Sequence, residues 1–414
     1  MSRPIKSSLW KSLQAEWGDA RHPWMWKVLL PAVLLGGAGL LVSLRPSATP
    51  VGDYLVCSRE NISTNPLLYP PDTRLVRVSG GEARFLKGFA LTSRPQLSYA
   101  ADRILFSARR SGDKYSQIWE MTVDASTPRR VIAVDADCVT PGLLPDGTIV
   151  FSRLERVPEG DRLIGTLYAL RAGGSLSRIS FGSDLDLVQK ILSDGRILVH
   201  RRSPLYPDGI DLALRPDGTE LERFLADTSM GSVEASAVGG GRIQPAGPDG
   251  SERAPAPSWL EPGYHVIDSI HVAPRPLPPV STSVVKPQMD YGWLLCLDAR
   301  LTDLNADLGR AHSVRVVDSK SGKALGVEPI ARDGSFYLKV PADRLLRLEL
   351  LDDQGRTVVR QRDGIWVRPN EHRGCEGCHE SRYLSPENRS PLALEQGPES
   401  VIEQASAAPV EGRP

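Results

Sequence analysis

Short apolar runs recur at nearly constant spacing along residues 51–230. In one series each apolar run ends in a small or basic residue, and the runs begin 50, 45 and 48 residues apart, at residues 54–58, 104–107, 149–152 and 197–200. A second series falls between them with spacings of 43, 49 and 45, at residues 75–78, 118–121, 167–170 and 212–215. Two interleaved series of short strands with a period in the forties are typical of β-propeller blades.

Turn sequences flank these predicted strands. Pro145-Asp146-Gly147 and Ser193-Asp194-Gly195 precede two of them, and Pro216-Asp217-Gly218 follows a third. Pro presets φ at the second turn position, and Asp and Gly tolerate the conformations that come after it. Residues 233–254 carry a weaker version of the pattern, that of a degenerate fifth blade, so the predicted propeller covers residues 51–254.

A different β pattern follows a proline-rich stretch. Eight prolines fall within residues 251–287, and because proline cannot donate to a strand ladder, residues 255–290 are predicted to be a wrap or linker. Five short strands are then predicted at residues 293–297, 313–317, 334–340, 345–350 and 357–360. They favour a small antiparallel β-sandwich within residues 291–390. Residues 391–414 lack an apolar period and are predicted to be a flexible tail.

The N-terminal region carries an uncharged apolar segment. Residues 28–44 are free of charge, Trp24 and Trp26 precede them, and Arg45 closes them. Counted from Trp24, the segment is long enough to cross a bilayer, and cations are concentrated before it. The sequence thus predicts a cytoplasmic segment at 1–27 and an uncleaved transmembrane anchor at 28–45, with the main body outside; a cleaved signal peptide is the alternative.

Composition narrows the function classes. The 414 residues carry 50 Lys and Arg against 50 Asp and Glu, so no overall basic field favours nucleic acid and no charge excess favours disorder. The 37 Gly and 34 Pro suit many turns and short strands. The predicted fold class is therefore mainly β: an N-terminal transmembrane helix, a β-propeller, and a β-sandwich-like domain.

Residues 375–379 carry the clearest chemical motif. Cys375-Glu376-Gly377-Cys378-His379 is the Cys-x-x-Cys-His attachment signature of a c-type haem. Cys375 and Cys378 would form the covalent links to the porphyrin, and His379 would bind the iron as its proximal ligand. A local disulfide, a thioredoxin-like redox pair and half of a zinc site are the alternatives. The region lacks the βαβ context of a redox motif, and His372 alone lies near enough to extend a zinc site.

Two family resemblances accompany these motifs. Residues 137–152 resemble the Pro-Asp repeats of exported bacterial β-propellers. Residues 333–342, 351–355, 365–369 and 371–380 resemble the haem-carrying middle domain of the hydrazine synthase alpha subunit, and with the propeller the similarity covers about residues 51–390. That resemblance implies a propeller before a haem domain, several c-type haems and a nearby zinc ion. Here one Cys-x-x-Cys-His is present, so a multi-haem relay and hydrazine synthesis itself are not expected.

The second axial ligand would separate electron transfer from catalysis, since a five-coordinate iron can bind a small molecule. His271 is the first candidate distal ligand of the haem iron, followed by His265, His312 and Met289, although each residue type also has ordinary structural roles. Tyr383 could approach the haem edge. The cysteines outside the motif are Cys57, Cys138 and Cys296, for which buried thiols, or one disulfide and one thiol, are the alternatives.

Three functions follow from these observations. The first is an exported monohaem c-type cytochrome with one covalent haem c, anchored in the bacterial inner membrane and passing electrons to a redox partner protein or membrane complex in the periplasm. The second is a haem enzyme acting on a small nitrogen or oxygen species, as the resemblance implies. The third is a non-redox propeller scaffold that binds a partner protein. Hydrolase and nucleotide-binding motifs are absent from the sequence.

Overall fold

The structure is a computed structural model that describes residues 52–58, 72–79, 82–124, 127–157, 162–224, 263–302, 308–377 and 389–402. The predicted cytoplasmic segment 1–27, the predicted anchor 28–45 and the weak repeat at 233–254 lie outside these residues. The described residues belong to one compact unit. Within the described ranges, no helix has the length and apolar character needed to cross a membrane.

The N-terminal part of this unit is a row of four-stranded antiparallel sheets. The first sheet has the order β16-β1-β2-β3, formed by β1 (Gly52–Ser58), β2 (Arg74–Ser79), β3 (Glu82–Phe85) and β16 (His265–His271). The second contains β4 (Phe89–Leu97), β5 (Arg103–Arg110), β6 (Gln117–Thr122) and β7 (Arg129–Arg130). Each predicted strand of the two repeating series in this region coincides with an observed strand.

The next eight strands form one continuous sheet with two four-stranded halves. One contains β8 (Asp137–Leu143), β9 (Ile149–Val157), β10 (Arg162–Leu170) and β11 (Leu176–Arg178), and the other contains β12 (Leu185–Ile191), β13 (Ile197–Ser203), β14 (Tyr206–Leu214) and β15 (Glu222–Arg223). A single parallel pair, Gly165 with Leu185, connects them. A Cβ at Gly165 would lie 2.5 Å from the Asp186 carbonyl oxygen, so glycine permits this close approach.

Apolar cores lie between successive sheets. Leu75 and Ile270 of the first sheet pack with Phe106 of the second, and Leu105 of the second packs with Phe151 of the third. Val150 and Val188 do the same between the two halves of the eight-stranded sheet. Inner strands are therefore buried on both faces, which explains why their sequences are continuous apolar runs rather than alternating ones. The architecture is propeller-like.

A strand from the proline-rich stretch completes the first sheet. Residues 255–290 are predicted as a linker, but β16 lies within this range and pairs antiparallel with β1, from Asp53 with His271 to Ser58 with His265. Beyond β16 the prolines prevent further pairing, and the chain runs along the other sheets: Arg275 donates to the carbonyl oxygens of Tyr99 and Leu97 at 2.9 and 2.8 Å. The stretch is therefore partly a strand and partly an ordered wrap.

The C-terminal part is a two-sheet sandwich. Its strands are β17 (Tyr291–Cys296), β18 (Ser313–Asp318), β19 (Ala324–Pro329), β20 (Phe336–Pro341), β21 (Leu346–Leu351), β22 (Thr357–Arg360), β23 (His372–Cys375) and β24 (Glu399–Ser400). The sheet orders are β23-β17-β20-β24 and β19-β18-β21-β22. Alternate residues such as Leu294, Val316 and Leu338 are fully buried between the two sheets, as the alternating sequence predicts.

The segment after residue 390 differs from its sequence-based prediction. The sequence predicts a flexible tail from residue 391, but residues 391–402 lie on the sandwich: helix α1 (Leu392–Gln396) precedes β24, which pairs with β20. Val401 is fully buried in the sandwich core, and the backbone N–H of Leu392 donates to the Asp333 carboxylate at 2.9 Å. Two anchored points thus fix a sequence whose composition alone favours disorder.

Candidate functional site

The first cysteine of the Cys-x-x-Cys-His sequence ends a strand of the sandwich. Cys375 is the last residue of β23, which pairs in parallel with β17 and places Cys375 opposite Cys296. The pairing continues past the strand ends, because the Leu297 N–H donates to the Cys375 carbonyl at 2.9 Å and the Asp298 N–H donates to the Glu376 carbonyl at 3.1 Å. The sheet therefore fixes the backbone that leads into the motif.

Gly377 fits tightly against the next turn. A Cβ at this position would lie 2.3 Å from the Leu301 carbonyl oxygen and 3.0 Å from the Asp298 carbonyl oxygen. Gly374, three residues earlier, has no atom within 4 Å of the corresponding position. The middle of the motif is thus held against the turn at 298–301 by backbone contact that a larger residue would prevent.

The remaining motif residues, Cys378 and His379, lie outside the described residues, as does Tyr383. The described half of the motif is compatible with the predicted role, since the Cys375 side chain is partly exposed at a strand end. Two thiols for covalent attachment and an imidazole for the iron are also what a c-type haem needs. Cys375 and Cys378 stay predicted attachment residues, and His379 stays the predicted iron ligand.

The predicted distal ligand lies in the propeller-like part of the chain. His271 is exposed at the end of β16 in the first sheet, opposite Asp53. Its role as an iron ligand stays a prediction. The side chain of His265 is not among those that the structure describes.

The other sequence candidates have local contacts. Nδ1 of His312 lies 2.7 Å from the Arg310 carbonyl oxygen. Met289 lines a cavity of about 620 Å³ together with Arg171, Asp343 and Arg368. This cavity lies where the propeller-like part meets the sandwich.

His372 is held on the outer face of the sandwich sheet. Its ring stacks on Trp293 with centroids 4.0 Å apart, and its Nδ1 lies 3.2 Å from the Tyr337 hydroxyl. Because strand residues three apart point to opposite faces, His372 and Cys375 lie on opposite sides of β23. His372 therefore does not share a site with the Cys375 thiol.

Glu371 connects the motif strand to the propeller-like part. Its carboxylate is buried and accepts hydrogen bonds from the backbone N–H groups of Glu220 and Arg368, at 2.9 and 2.7 Å. Burial raises the pKa of Glu371, and the nearby Arg373 charge only partly opposes this shift. Arg373 in turn donates to the carbonyl oxygens of Trp366 and Leu221. These two side chains fix where β23 begins.

Asp217 holds the proline-rich wrap in place. One carboxylate oxygen accepts from the N–H and hydroxyl of Thr219, at 3.1 and 2.7 Å, and the other accepts from the Ser283 hydroxyl and the Val284 N–H, at 2.9 and 3.1 Å. Burial alone would raise the pKa of Asp217, but these four hydrogen bonds outweigh it and hold the pKa below its usual range. The carboxylate is thus ionised and fully satisfied.

A buried ion pair lies under Trp366. Nε and Nη2 of Arg201 donate to the two carboxylate oxygens of Asp186, at 2.7 and 2.8 Å, and the side chains are only 7% and 2% exposed. The Asp184 carboxylate lies 4.0 Å from the same Arg201 Nε. The guanidinium also lies 5.7 Å from the centre of the Trp366 ring, which is fully buried. The pair therefore joins β12 and β13 to the segment that leads into the Cys-x-x-Cys-His motif.

Two cysteines outside the motif have described side chains. Cys138 is fully buried, and burial raises its pKa to about 12, which makes it an inert thiol at neutral pH. Cys296 is 1% exposed in β17. Among the described residues, no group of three or more His, Cys, Asp or Glu is arranged to hold a metal ion.

Sequence reasoning identified the motif, and the family resemblance includes the flanking residues from 371 onward, but neither identifies the partners that hold the motif. The pairing of Cys296 with Cys375 spans 79 residues of chain. No spacing rule links residues so far apart, although the apolar pattern around Cys296 does predict its burial.

Comparison with known proteins agrees with this architecture. Residues 298–380 match the family described as the hydrazine synthase alpha subunit middle domain. The structure of Kuenenia stuttgartiensis hydrazine synthase superposes with a TM-score of 0.68 at 16% sequence identity, covering 84% of this chain and 72% of that one.

Weaker likenesses also occur. TolB from Acinetobacter baumannii has a TM-score of 0.31 at 12% identity, covering 47% of this chain and 46% of that one. TolB from Agrobacterium tumefaciens has a TM-score of 0.29 at 13% identity, covering 80% and 95%. No curated protein matches the sequence. The resemblance seen in the sequence is confirmed: residues 298–380 match the hydrazine synthase alpha subunit middle domain family, and the chain is hydrazine synthase alpha-like in fold.

Proposed function

We propose that this chain is a haem protein of the hydrazine synthase alpha-like type, in which Cys375 and Cys378 carry one covalent c-type haem and His379 binds its iron. The observation that carries the proposal is a Cys-x-x-Cys-His sequence at the end of β23, inside the matched family domain. When bound, the haem would supply redox chemistry at its iron. The chain's own contribution is to hold the attachment strand.

The favoured activity is that of a haem enzyme acting on a small nitrogen or oxygen species. The support is the shared fold with a hydrazine synthase over 84% of this chain. Glu371 and Arg373 hold β23 against the propeller-like part by hydrogen bonds, so the attachment point is rigid on that side. Rigid positioning of a reactive group is what a catalytic site requires, and it serves electron transfer equally well.

Electron transfer by a monohaem cytochrome is the second candidate. It is favoured by the single Cys-x-x-Cys-His sequence, which offers no second haem for a relay within this chain. If a second side chain such as His271 held the iron, the haem would transfer electrons without binding a small molecule. In either case the haem needs an electron donor or acceptor, and the hydrazine synthase-like fold favours a partner within a multi-subunit assembly.

An absorption spectrum of the full chain, produced with a c-type haem maturation system, tests these functions. We expect covalent haem by the pyridine haemochrome assay, lost in a Cys375→Ser/Cys378→Ser double variant and retained in the matched Cys138→Ser control. Carbon monoxide binding to the reduced protein would support catalysis, and indifference to carbon monoxide would support electron transfer. Absence of covalent haem in the wild-type chain would refute both and leave a protein-binding scaffold.

The proposed location is the periplasmic face of a bacterial inner membrane. Residues 28–45 are proposed as the anchor because residues 28–44 are uncharged and the segment, counted from Trp24, is long enough to span, with cations concentrated on the leading side. Attachment of a c-type haem outside the cytoplasm suits this topology. Fractionation of cells, followed by protease treatment of spheroplasts, tests it: residues after 45 should be digested from outside, and release of the whole chain in the soluble periplasmic fraction would contradict an anchor.

A further inference from the structure

The strand that carries the motif brings two thiols together. β17 and β23 pair in parallel without a register shift. The paired residues are Trp293 with His372, Leu294 with Arg373, Leu295 with Gly374, and Cys296 with Cys375. Neighbouring strands lie about 4.8 Å apart, which falls within the Cα separation of about 4.4–6.8 Å that disulfides adopt. The backbone spacing therefore permits a bond between them.

Both thiols also point to the same side of the sheet. Cys296 belongs to the sandwich core, and Cys375 packs against that same core cluster. Trp293 and His372 stack on each other on the outer face of the sheet. Cys296 and Cys375 each lie three positions further along the same strands, so their side chains face inward. Side-chain direction and strand spacing are therefore both compatible with a disulfide, and the structure holds both residues as thiols.

The two thiols differ in access. Cys296 is 1% exposed, whereas Cys375 is partly exposed at the strand end. In thiol–disulfide exchange an accessible thiolate first forms a mixed disulfide, and a neighbouring thiolate then displaces the outside group. Cys375 has the position of the attacking thiol, and Cys296 has the position of the resolving one.

We propose that Cys296 and Cys375 form a cross-strand disulfide in the haem-free chain, and that this bond must be reduced before Cys375 can bind haem. The oxidant is a protein or small-molecule disulfide: the sulfur–sulfur bond forms, the two thiols lose two electrons and two protons, and the oxidant becomes a dithiol or two thiols. A dithiol reductant reverses the step. Cys375 can then add across a haem vinyl group, its sulfur bonding to one carbon and its proton going to the other.

The second part of this proposal rests on the proposed haem function, and the first part does not. A disulfide would withhold Cys375 from haem while leaving Cys378 as a thiol, so attachment would depend on the redox state of a residue outside the motif. Cys296 would thereby control when Cys375 is available for haem attachment. Cys138 offers a matched control, because it is a fully buried thiol in the propeller-like part of the chain.

The experiment oxidises haem-free full-length protein with oxidised glutathione, alkylates remaining thiols in denaturant and maps the peptides by mass spectrometry. We expect a peptide containing Cys296 linked to one containing Cys375, separated by dithiothreitol. The linked peptide should be lost in Cys296→Ser and in Cys296→Val, and kept in Cys138→Ser. Circular dichroism checks that each variant is folded, and the wild-type map needs no variant at all.

A second measurement tests whether Cys296 controls haem attachment. Haem attachment is compared between wild type and Cys296→Ser under oxidising maturation conditions, and we expect a larger haem-loaded fraction in the variant and no difference after reduction. Alkylation of Cys296 in the oxidised wild type, with Cys375 linked to Cys378 instead, would overturn the disulfide. A disulfide with no haem under any condition would refute the haem function while leaving the thiol pairing intact.

Discussion

The buried ion pair under Trp366 gives the sharpest stability prediction. Asp186→Asn keeps the shape of the side chain but removes its charge and places an amide N–H₂ where one carboxylate oxygen accepted from Arg201 at 2.7–2.8 Å. Arg201 cannot lose its proton, so a cation with a side chain only 7% exposed remains. Asp184, at 4.0 Å, is the remaining acid that the structure shows in contact with it.

The expected loss is large. Removing one partner of a buried ion pair costs about 3–5 kcal/mol, because the other charge stays buried without compensation. Since Asp184 supplies part of that compensation, we expect a loss near the lower end, about 3 kcal/mol, or roughly two orders of magnitude in the folding equilibrium constant. Asp194→Asn is the matched control: Asp194 pairs with Arg196, but its side chain is 48% exposed, and exposed pairs contribute less than about 1 kcal/mol.

Urea unfolding followed by circular dichroism measures both variants. A double variant, Asp186→Leu with Arg201→Met, adds a second test, because replacing both charges with apolar groups should recover most of the loss. If Asp186→Asn is no less stable than Asp194→Asn, the ion pair contributes little and the reasoning fails. If the double variant is less stable than the single one, the loss comes from broken contacts and not from an uncompensated charge.

Two further predictions concern the wrap and the motif. Asp217→Asn should lose about 2–3 kcal/mol at neutral pH, because the Val284 N–H loses its acceptor and the charge-assisted hydrogen bonds weaken. Since the folded-state pKa of Asp217 is lowered, its contribution to stability is present above the ordinary aspartate pKa of about 4 and is lost as the pH falls through the folded-state pKa. Urea unfolding at neutral and acidic pH should therefore show that the difference in unfolding free energy between wild type and variant becomes smaller in acid. A difference that stays constant with pH would contradict the lowered pKa. Gly377→Ala should lower the haem-loaded fraction measured by pyridine haemochrome, because its Cβ would lie 2.3 Å from the Leu301 carbonyl oxygen. In Gly374→Ala the added Cβ meets open space, so haem loading should be unchanged. Equal loading in the two variants would show that the turn does not position the motif.

Much of the fold could be predicted from local sequence. The eight propeller strands and five sandwich strands expected from apolar runs all have observed counterparts, because period, turn residues and strand length are properties of short segments. In the sandwich, the sequence does not predict β19, β23 and β24, and in the propeller-like part it does not predict β3, β4, β7, β8, β11, β12, β15 and β16. β24 is two residues long, and β23 is the four-residue run His372–Cys375, with no apolar alternation. Such strands are defined by the neighbour that they join.

The sequence by itself determined the Cys-x-x-Cys-His motif and the β character of the chain, because both depend on residues a few positions apart. Tertiary structure decided which distant residues meet: β16 beside β1, Cys296 opposite Cys375, and Arg201 beneath Trp366. An apolar strand can pair with any matching edge, so its pattern specifies a buried face but not a partner. The partner is selected only when whole sheets pack, because one arrangement then buries those apolar faces together and pairs buried charges such as Asp186 and Arg201.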